Sequence, residues 1–227
     1  MYRLRVTYGK VGPLRFLGHL EVCRALERGV RRARLPIAYG QGFNPKARLA
    51  FGPALPVGVA GEREYVDLKL DDYVAPAEAA AALEDALPKG LPVSGAAYVK
   101  ADAPSLAADT AVVVYLVELA GLGEDALPAL EEGLARFADL TTLDVERRGG
   151  VRTYDLGRAI YRRPKLTDVD GTPALELWLA MVDQAPIRPD AVALEIARET
   201  PASYMRVARM ECYAQRRDAL VALSEVG

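Results

Sequence analysis

Polar and apolar positions in the first part of the chain follow two different periods. In residues 2–8, polar and apolar side chains alternate, which is typical of a half-buried strand. Over residues 18–34 the apolar positions recur every three or four residues and form one stripe, which predicts an amphipathic helix. The stripe consists of Leu20, Cys23, Leu26, Val30 and Ala33. Leu35-Pro36 ends the helix, because the residue before a proline is disfavoured in the α region.

The rest of the first half predicts three more strands and one more helix. Strand patterns cover residues 46–51, 63–70 and 91–100, and a helix pattern opening at Pro76 covers residues 76–87. The order is therefore β-α-β-β-α-β, the order of the ferredoxin-like unit.

The same order recurs in the second half. Strands are predicted at 110–119, 141–148, 173–182 and 203–213, and helices at 124–139 and 189–199. We therefore expect an α+β fold of two tandem ferredoxin-like units with antiparallel sheets. The first covers residues 1–100 and the second covers 110–227, with an insertion at 149–172. The alternative is one α+β domain whose second half only resembles the first.

Composition places the chain among ordinary globular proteins. It is 51% hydrophobic and 26% charged, which argues against disorder and coiled coil. Two cysteines, Cys23 and Cys212, and one histidine are too few for a four-thiolate cluster or a dedicated zinc site, so we expect no metal or cofactor. The chain start lacks a signal-peptide pattern and the longest apolar run, 111–117, is short. We expect a cytoplasmic protein without a membrane span.

The net charge of −2 conceals a strong segregation of charge. Residues 1–50 contain eleven Lys or Arg and two acids, whereas residues 51–146 contain five and eighteen. Residues 147–165 add seven Lys or Arg against one acid. Basic blocks of this kind attract phosphate, so RNA is the expected anionic partner. The alternative is that each block is a solvated surface.

Three basic segments are the candidate nucleic-acid contacts. Arginines occupy the polar side of the first helix, and a glycine loop offers backbone amides, an aromatic ring and cations. The 147–165 block interleaves arginines with Tyr154 and Tyr161, whereas Trp178 and Tyr115 lie on apolar strands and are expected in the core. The predicted contacts are Arg15, Arg24, Arg28, Arg31, Arg32, Gly40, Gly42, Phe43, Asn44, Lys46, Arg48, Arg158, Arg162 and Arg163. The alternatives are an ordinary turn for the loop and an exposed arm for the block.

Four segments carry a resemblance to a known family. They are GPLRFLGHLE (12–21), RALER (24–28), LPIAYGQGFNP (35–45) and FGPALPVGV (51–59). Together they resemble the radical-SAM-linked protein family, a bacterial domain-of-unknown-function family encoded beside, or fused to, a radical SAM protein. The resemblance is dense over residues 2–70 and weak beyond about residue 110. It implies a radical SAM protein as partner, with the radical chemistry in that partner.

His19 suggests a different function. A tandem ferredoxin-like protein with a histidine near its first helix is also similar to the CRISPR repeat-processing endoribonucleases, which cleave RNA without metal. In that interpretation His19 is the base, with Tyr39, Lys46 or Tyr8 as neighbours. The glycine-rich loop near the C-terminus of those nucleases is not recognisable here. Three hypotheses stay open: a non-catalytic RNA-binding accessory protein, an endoribonuclease, and a protein-binding scaffold for the radical SAM protein.

Overall fold

The computed structural model describes the chain except for residues 44, 148, 184, 203 and 227. The chain divides into two units: residues 1–110 and 211–227 form the N-terminal unit, and residues 111–210 form the central unit. The first boundary between the two units lies near residue 110. The C-terminal segment 211–227 was expected in the second domain and belongs instead with the first unit.

The N-terminal unit contains the predicted β-α-β-β-α-β order, with the first and third strands longer than predicted and the second and fourth strands shorter. Its elements are β1 (Tyr2–Lys10), a 3-10 turn (Gly12–Phe16), α1 (His19–Arg32), β2 (Leu49–Phe51), β3 (Ala60–Leu70), α2 (Pro76–Ala86), β4 (Val93–Tyr98) and α3 (Leu106–Asp109). α1 begins after Gly18, whose amide donates to Glu21 Oε2 over 2.8 Å.

The sheet of this unit buries one face against the two long helices. β1 pairs antiparallel with both β3 and β4, and β2 pairs antiparallel with β3. Alternate residues of β1 and β3 face α1 and α2 and make a continuous apolar core. That core includes Leu4, Val6, Val66, Leu68, Leu70, Val22, Leu26, Val30, Ala79 and Leu83.

The central unit begins with a strand and helix close to the predicted bounds. Its elements are β5 (Thr110–Ala120), a 3-10 turn (Glu124–Ala126), α4 (Leu127–Asp139), β6 (Thr142–Arg147), β7 (Gly150–Asp155), α5 (Leu156–Ala159), β8 (Ile160–Val169), β9 (Thr172–Ala180) and α6 (Pro189–Ile196). β10 (Tyr204–Arg216) follows, and its last residues belong to the N-terminal unit, as do β11 (Ala219–Ala222) and a 3-10 turn (Leu223–Glu225).

The second strand of the central sheet differs from the prediction. The strand order is β10-β5-β9-β8, and β6 pairs with β7 in a separate two-stranded hairpin. The segment predicted as the second strand, 141–148, therefore contains the first arm of that hairpin, Thr142–Arg147. The sheet strand is β8, which lies inside the segment predicted as an insertion. β8 is an edge strand with many charged residues, so its hydrophobic signal is weak.

The sequence prediction of a mixed α+β fold with largely antiparallel pairing is confirmed. Tyr115 and Trp178 are both predicted to lie in the core, and the prediction is right for Tyr115 only. Tyr115 is 2% exposed, but Trp178 is only half-buried, on the face of β9 opposite Leu177 and Leu179. Within the described residues, no helix has the length and hydrophobicity needed to cross a membrane.

Candidate nucleic-acid interface

The helix-free face of the N-terminal sheet carries charged side chains. On β1, Leu4 and Val6 face the helices, so Arg3 and Arg5 point to the other face. The cross-strand partner of Arg3 on β3 is Lys69, and that of Arg5 is Asp67. Charge on this face is therefore a consequence of the alternation in β1 and β3.

Asp67 binds two arginines at once. Arg3 Nε donates to Asp67 Oδ2 over 2.9 Å, and Arg5 Nε donates to Oδ1 over 2.8 Å. The exposed fractions are 9% for Arg3 and 2% for both Arg5 and Asp67. A single carboxylate thus neutralises one of two buried guanidinium groups, and the cluster keeps a net positive charge.

Backbone carbonyls satisfy further donors of the two arginines. Arg3 donates to the carbonyl oxygens of Ala103 and Pro104, and Arg5 Nη1 donates to that of Leu223 over 2.8 Å. These acceptors belong to the linker after β4 and to the C-terminal 3-10 turn. Both segments therefore cover part of the helix-free face and hold the guanidinium groups in place.

A row of three cations crosses the strands β2, β3 and β1 at one end of this face. Arg48 precedes β2, and its carbonyl accepts from the Lys69 amide over 3.0 Å, while Lys69 lies opposite Arg3. All three side chains line a cavity of about 480 Å³. Asp67, already bound to two arginines, is the only acid among the described residues of its lining, so the cavity is electropositive.

The glycine loop leads directly into this row. The Gly40 amide donates to the Lys46 carbonyl over 2.9 Å, and the Arg48 amide donates to the Ala38 carbonyl over 2.9 Å. Gly42 has a φ of 137°, which a side chain would strain, and Phe43 projects fully into solvent. Lys46 is exposed, and Asn44 lies outside the described residues. The loop therefore presents an exposed aromatic face beside cations.

The predicted arginines of α1 are all exposed. Among the residues that the structure describes, Arg24, Arg28, Arg31 and Arg32 have no acidic partner within salt-bridge distance. Arg15 lies over the ring of Phe16, with 4.8 Å from its guanidinium carbon to the ring centroid. The helix thus offers unneutralised positive charge on its outer side.

His19 is exposed, and the cavity that it lines with Tyr8 is too small for a substrate. Its ring packs edge-on against Phe51 with centroids 5.7 Å apart, and its Nε2 lies 3.5 Å from Cys23 Sγ. The cavity that it shares with Tyr8 measures about 10 Å³, room for about one water. The other two proposed neighbours, Tyr39 and Lys46, do not line it.

In the central unit, the predicted arginines lie on and beside β8. Arg158 is exposed, and the Arg162 guanidinium stacks 3.9 Å from the centroid of Trp178. Arg162 and Arg163 also border a groove of about 530 Å³ whose other lining is mainly apolar side chains of α4 and β8.

Sequence reasoning missed the buried charges of the N-terminal sheet. The alternation of residues 2–8 predicts a half-buried strand but not the burial of Arg3 and Arg5, and it assigns no role to Asp67. The available signal was the opposite charge at alternating positions of two strands predicted to pair. Among the described residues, no group of three or more His, Cys, Asp or Glu side chains could hold a metal ion.

Comparisons with solved structures find distant similarities. One chain of the crystal structure of a Cbf5-Nop10-Gar1 complex is 13% identical, with a TM-score of 0.48, over 92% of this chain and 48% of that chain. This chain thus spans about half the length of that one. An unknown protein from Galdieria sulphuraria is 12% identical, with a TM-score of 0.24, over 92% and 96% of the two chains. Neither similarity carries information about function.

Among curated proteins, none matches the chain at a significant level. A family profile does match, and it covers residues 3–189, which include the basic helix, the glycine loop and the charged sheet face. That range is most of the 227 residues. The chain therefore belongs to the DUF2344 family, which is described as an uncharacterized protein conserved in bacteria.

Proposed function

We propose that this protein is an RNA-binding accessory protein, without catalysis of its own, that works with a radical SAM partner. The observation that carries the proposal is the row of Arg48, Lys69 and Arg3 around a cavity of about 480 Å³, with the glycine loop leading into it. The row supplies charge for phosphates, and Phe43 supplies a stacking surface for a base.

Electrostatics supports phosphate as the ligand of the row. Lys69 and Arg48 are exposed at the rim, whereas Arg3 is held rigidly by Asp67 and two carbonyls. A buried guanidinium that is already oriented loses little conformational entropy when it binds an anion. The exposed cations can follow a flexible backbone, as single-stranded RNA requires.

Phe43 supports single-stranded RNA over a duplex. Its ring is completely exposed and is therefore available for stacking. Unpaired bases stack on such rings, whereas the bases of an RNA helix are already stacked on each other. The neighbouring Lys46 would contact the phosphate of the stacked nucleotide.

We infer further that both units are ferredoxin-like, which is a common framework for RNA recognition. The strand orders β4-β1-β3-β2 in the N-terminal unit and β10-β5-β9-β8 in the central unit support this inference. In the N-terminal unit both long helices pack on one face and leave the other face for ligands. The radical SAM partner is proposed from the family resemblance of residues 2–70.

The endoribonuclease hypothesis has weaker support. The cavity beside His19 has space for about one water, which is far too little for a ribose and its phosphate. The endoribonuclease hypothesis predicts RNA cleavage that is lost in His19→Ala. The scaffold hypothesis instead predicts a stable complex with the radical SAM protein and no affinity for RNA at low salt.

Fluorescence anisotropy with a labelled single-stranded RNA tests the proposal. We expect log K to fall linearly with log salt, with a slope of about −0.7 for each phosphate contact. Lys69→Gln should weaken binding and reduce the slope by about one such contact. Lys89→Gln removes an exposed lysine in the turn after α2 and is the matched control, which should bind like the wild type.

Phe43→Ala separates stacking from charge. It should lower affinity by about 1–3 kcal/mol per stacked base and leave the salt slope unchanged. Replacing Arg28 and Arg31 together by Ala should lower both affinity and slope, whereas replacing Glu131 and Glu132 should do little. Absence of RNA binding at low salt, or equal binding by Lys69→Gln and Lys89→Gln, would refute the proposal.

A further inference from the structure

A second cavity lies on the helix-free face of the N-terminal sheet, next to Arg5. Its volume is about 300 Å³. Its described lining combines two arginines, three hydroxyl side chains and small residues of β4, and contains no acid. These residues are Arg5, Thr7, Arg63, Ser94, Gly95, Ala96, Ala97 and Ser224. A cavity with only cationic and hydroxyl polar groups favours an anion.

Arg5 is a fixed donor at the floor of this cavity. Its side chain is 2% exposed, and the salt bridge to Asp67 together with the Leu223 carbonyl uses three of its five N–H groups. Within the described residues, one N–H on each terminal nitrogen is therefore available. Two such donors can bind oxygens of a phosphate or carboxylate.

Arg63 and two serines complete the donor set. The Arg63 guanidinium donates to Glu211 Oε2 over 3.2 Å, but its side chain is 59% exposed and its other N–H groups can reach a ligand. Ser94 Oγ donates to the Thr7 carbonyl over 3.4 Å, so its hydroxyl must rotate to donate to a ligand, and Ser224 is half-buried on the C-terminal turn. Polar side chains thus reach the cavity from four separate segments of the unit.

Small residues keep the cavity open. Gly95 lies opposite Thr7, and Ala97 lies opposite Arg5, on β4. A Cβ added at Gly95 would meet no described atom within 4 Å, and the backbone there is not in a left-handed conformation. Glycine in a strand interior costs stability and often marks a place where a ligand approaches the backbone closely.

We propose that this cavity binds the phosphate of a small phosphomonoester. A tetrahedral phosphate presents more acceptor oxygens than a carboxylate and can use both arginines and the hydroxyl groups together. The volume is at the lower end of ligand pockets, which suits a phosphorylated sugar or the terminal phosphate of an RNA. The site goes beyond the proposed RNA-binding row, because it uses none of the side chains of Arg48, Lys69 or Phe43.

Isothermal titration at constant ionic strength tests the site, with inorganic phosphate and ribose 5-phosphate as probes and ribose as the uncharged control. Wild type should bind ribose 5-phosphate and not ribose. Arg63→Gln should weaken binding about tenfold or more, because a charge-assisted hydrogen bond is lost. Lys89→Gln should bind like the wild type.

Gly95→Val tests the cavity without altering its charge. Valine is favoured in strands and should fold, but its side chain would fill the space above β4 and abolish binding. Circular dichroism checks that Gly95→Val folds. If it does not fold, Arg63→Gln still tests the site. A 5′-phosphorylated and a 5′-hydroxyl RNA then distinguish the two sources of phosphate.

Preference for the 5′-phosphorylated RNA that is lost in Gly95→Val assigns the site to an RNA end. Binding of ribose 5-phosphate alone assigns it to a free metabolite. Absence of binding by either ligand, or binding that Arg63→Gln and Gly95→Val leave unchanged, would overturn the proposal. Lys69→Gln should impair RNA binding without affecting ribose 5-phosphate, so failure of one proposal is distinguishable from failure of the other.

Discussion

Arg5 Nε lies 2.8 Å from Asp67 Oδ1, and both side chains are only 2% exposed. The two residues are cross-strand neighbours on β1 and β3, on the face that the helices leave uncovered. A buried ion pair costs desolvation free energy, so its presence on a sheet face is a poor means of gaining stability. It does provide a fixed positive charge beside two cavities, which is what anion binding requires.

Asp67→Asn should destabilise the protein strongly. The substitution removes the carboxylate that Arg3 and Arg5 share and leaves two buried guanidinium groups without this counter-charge. We expect a loss of about 3–5 kcal/mol in the free energy of unfolding, measured by urea denaturation. Asp72→Asn, at an exposed position after β3, is the control and should change stability by less than about 0.5 kcal/mol. Equal stability of the two variants would contradict the role assigned to Asp67.

Tyr65 should make stability fall at high pH. Its hydroxyl donates to the carboxylate of Glu211, and burial followed by this hydrogen bond raises the pKa of Tyr65 far above its ordinary value of about 10. Because the folded protein holds the proton more tightly than the unfolded chain, the stabilisation is complete below about pH 10 and is lost as the pH rises further.

The variant Tyr65→Phe isolates this effect. At neutral pH it should be less stable by about 1–3 kcal/mol, because the Glu211 carboxylate loses a buried donor. The difference between wild type and variant should shrink as the pH rises above about 10, since only the wild type has this phenol to ionise on unfolding. A difference that stays constant across this range, measured by denaturant titration, would show that Tyr65 ionises normally.

Gly133→Ala should destabilise the central unit although alanine is the better helix former. A Cβ at Gly133 in α4 would overlap the carbonyl oxygen of Ile196 in α6, and backbone cannot move as a side chain can. We expect a net loss of about 1–3 kcal/mol. Gly29→Ala in α1 is the matched comparison, because its Cβ would meet the flexible end of Leu87. It should cost clearly less, and a larger loss in Gly29→Ala would contradict the close approach of α4 to α6.

Cys23 should react slowly with thiol reagents. Burial, and then the nearby charge of Glu27, raise the pKa of its thiol, so less thiolate is present at mildly alkaline pH than in free cysteine. Glu27→Gln should increase the rate of reaction with a disulfide reagent. Cys212 is 2% exposed and should react only on unfolding. The two thiols can therefore be distinguished by their rates of reaction. An unchanged rate in Glu27→Gln would exclude the electrostatic contribution.

Local chemistry made much of the N-terminal unit predictable. The helical period of α1, the Leu35-Pro36 stop and the alternation of β1 are properties of a few adjacent residues, and the structure places these elements within a few positions of the prediction. The buried face of α1 differs from the predicted stripe, because Leu26 and Val30 are buried as predicted whereas Leu20 is 69% exposed. The exposure of Arg24, Arg28 and Phe43 was predictable for the same reason, because each lies on the polar side of a helix or in a glycine loop.

Strand pairing determined the features of the sheets that the sequence did not predict. β8 is a charged edge strand, so only its register with β9 distinguishes it from a surface insertion. In the same way, the alternation of β1 determined that Arg3 and Arg5 share a face, but not that this face would be covered. That depended on Ala103, Pro104 and Leu223, whose carbonyls reach the arginines from distant parts of the chain. Burial of a charge is a property of the folded neighbourhood, and the periodicity of one strand contains no information about it.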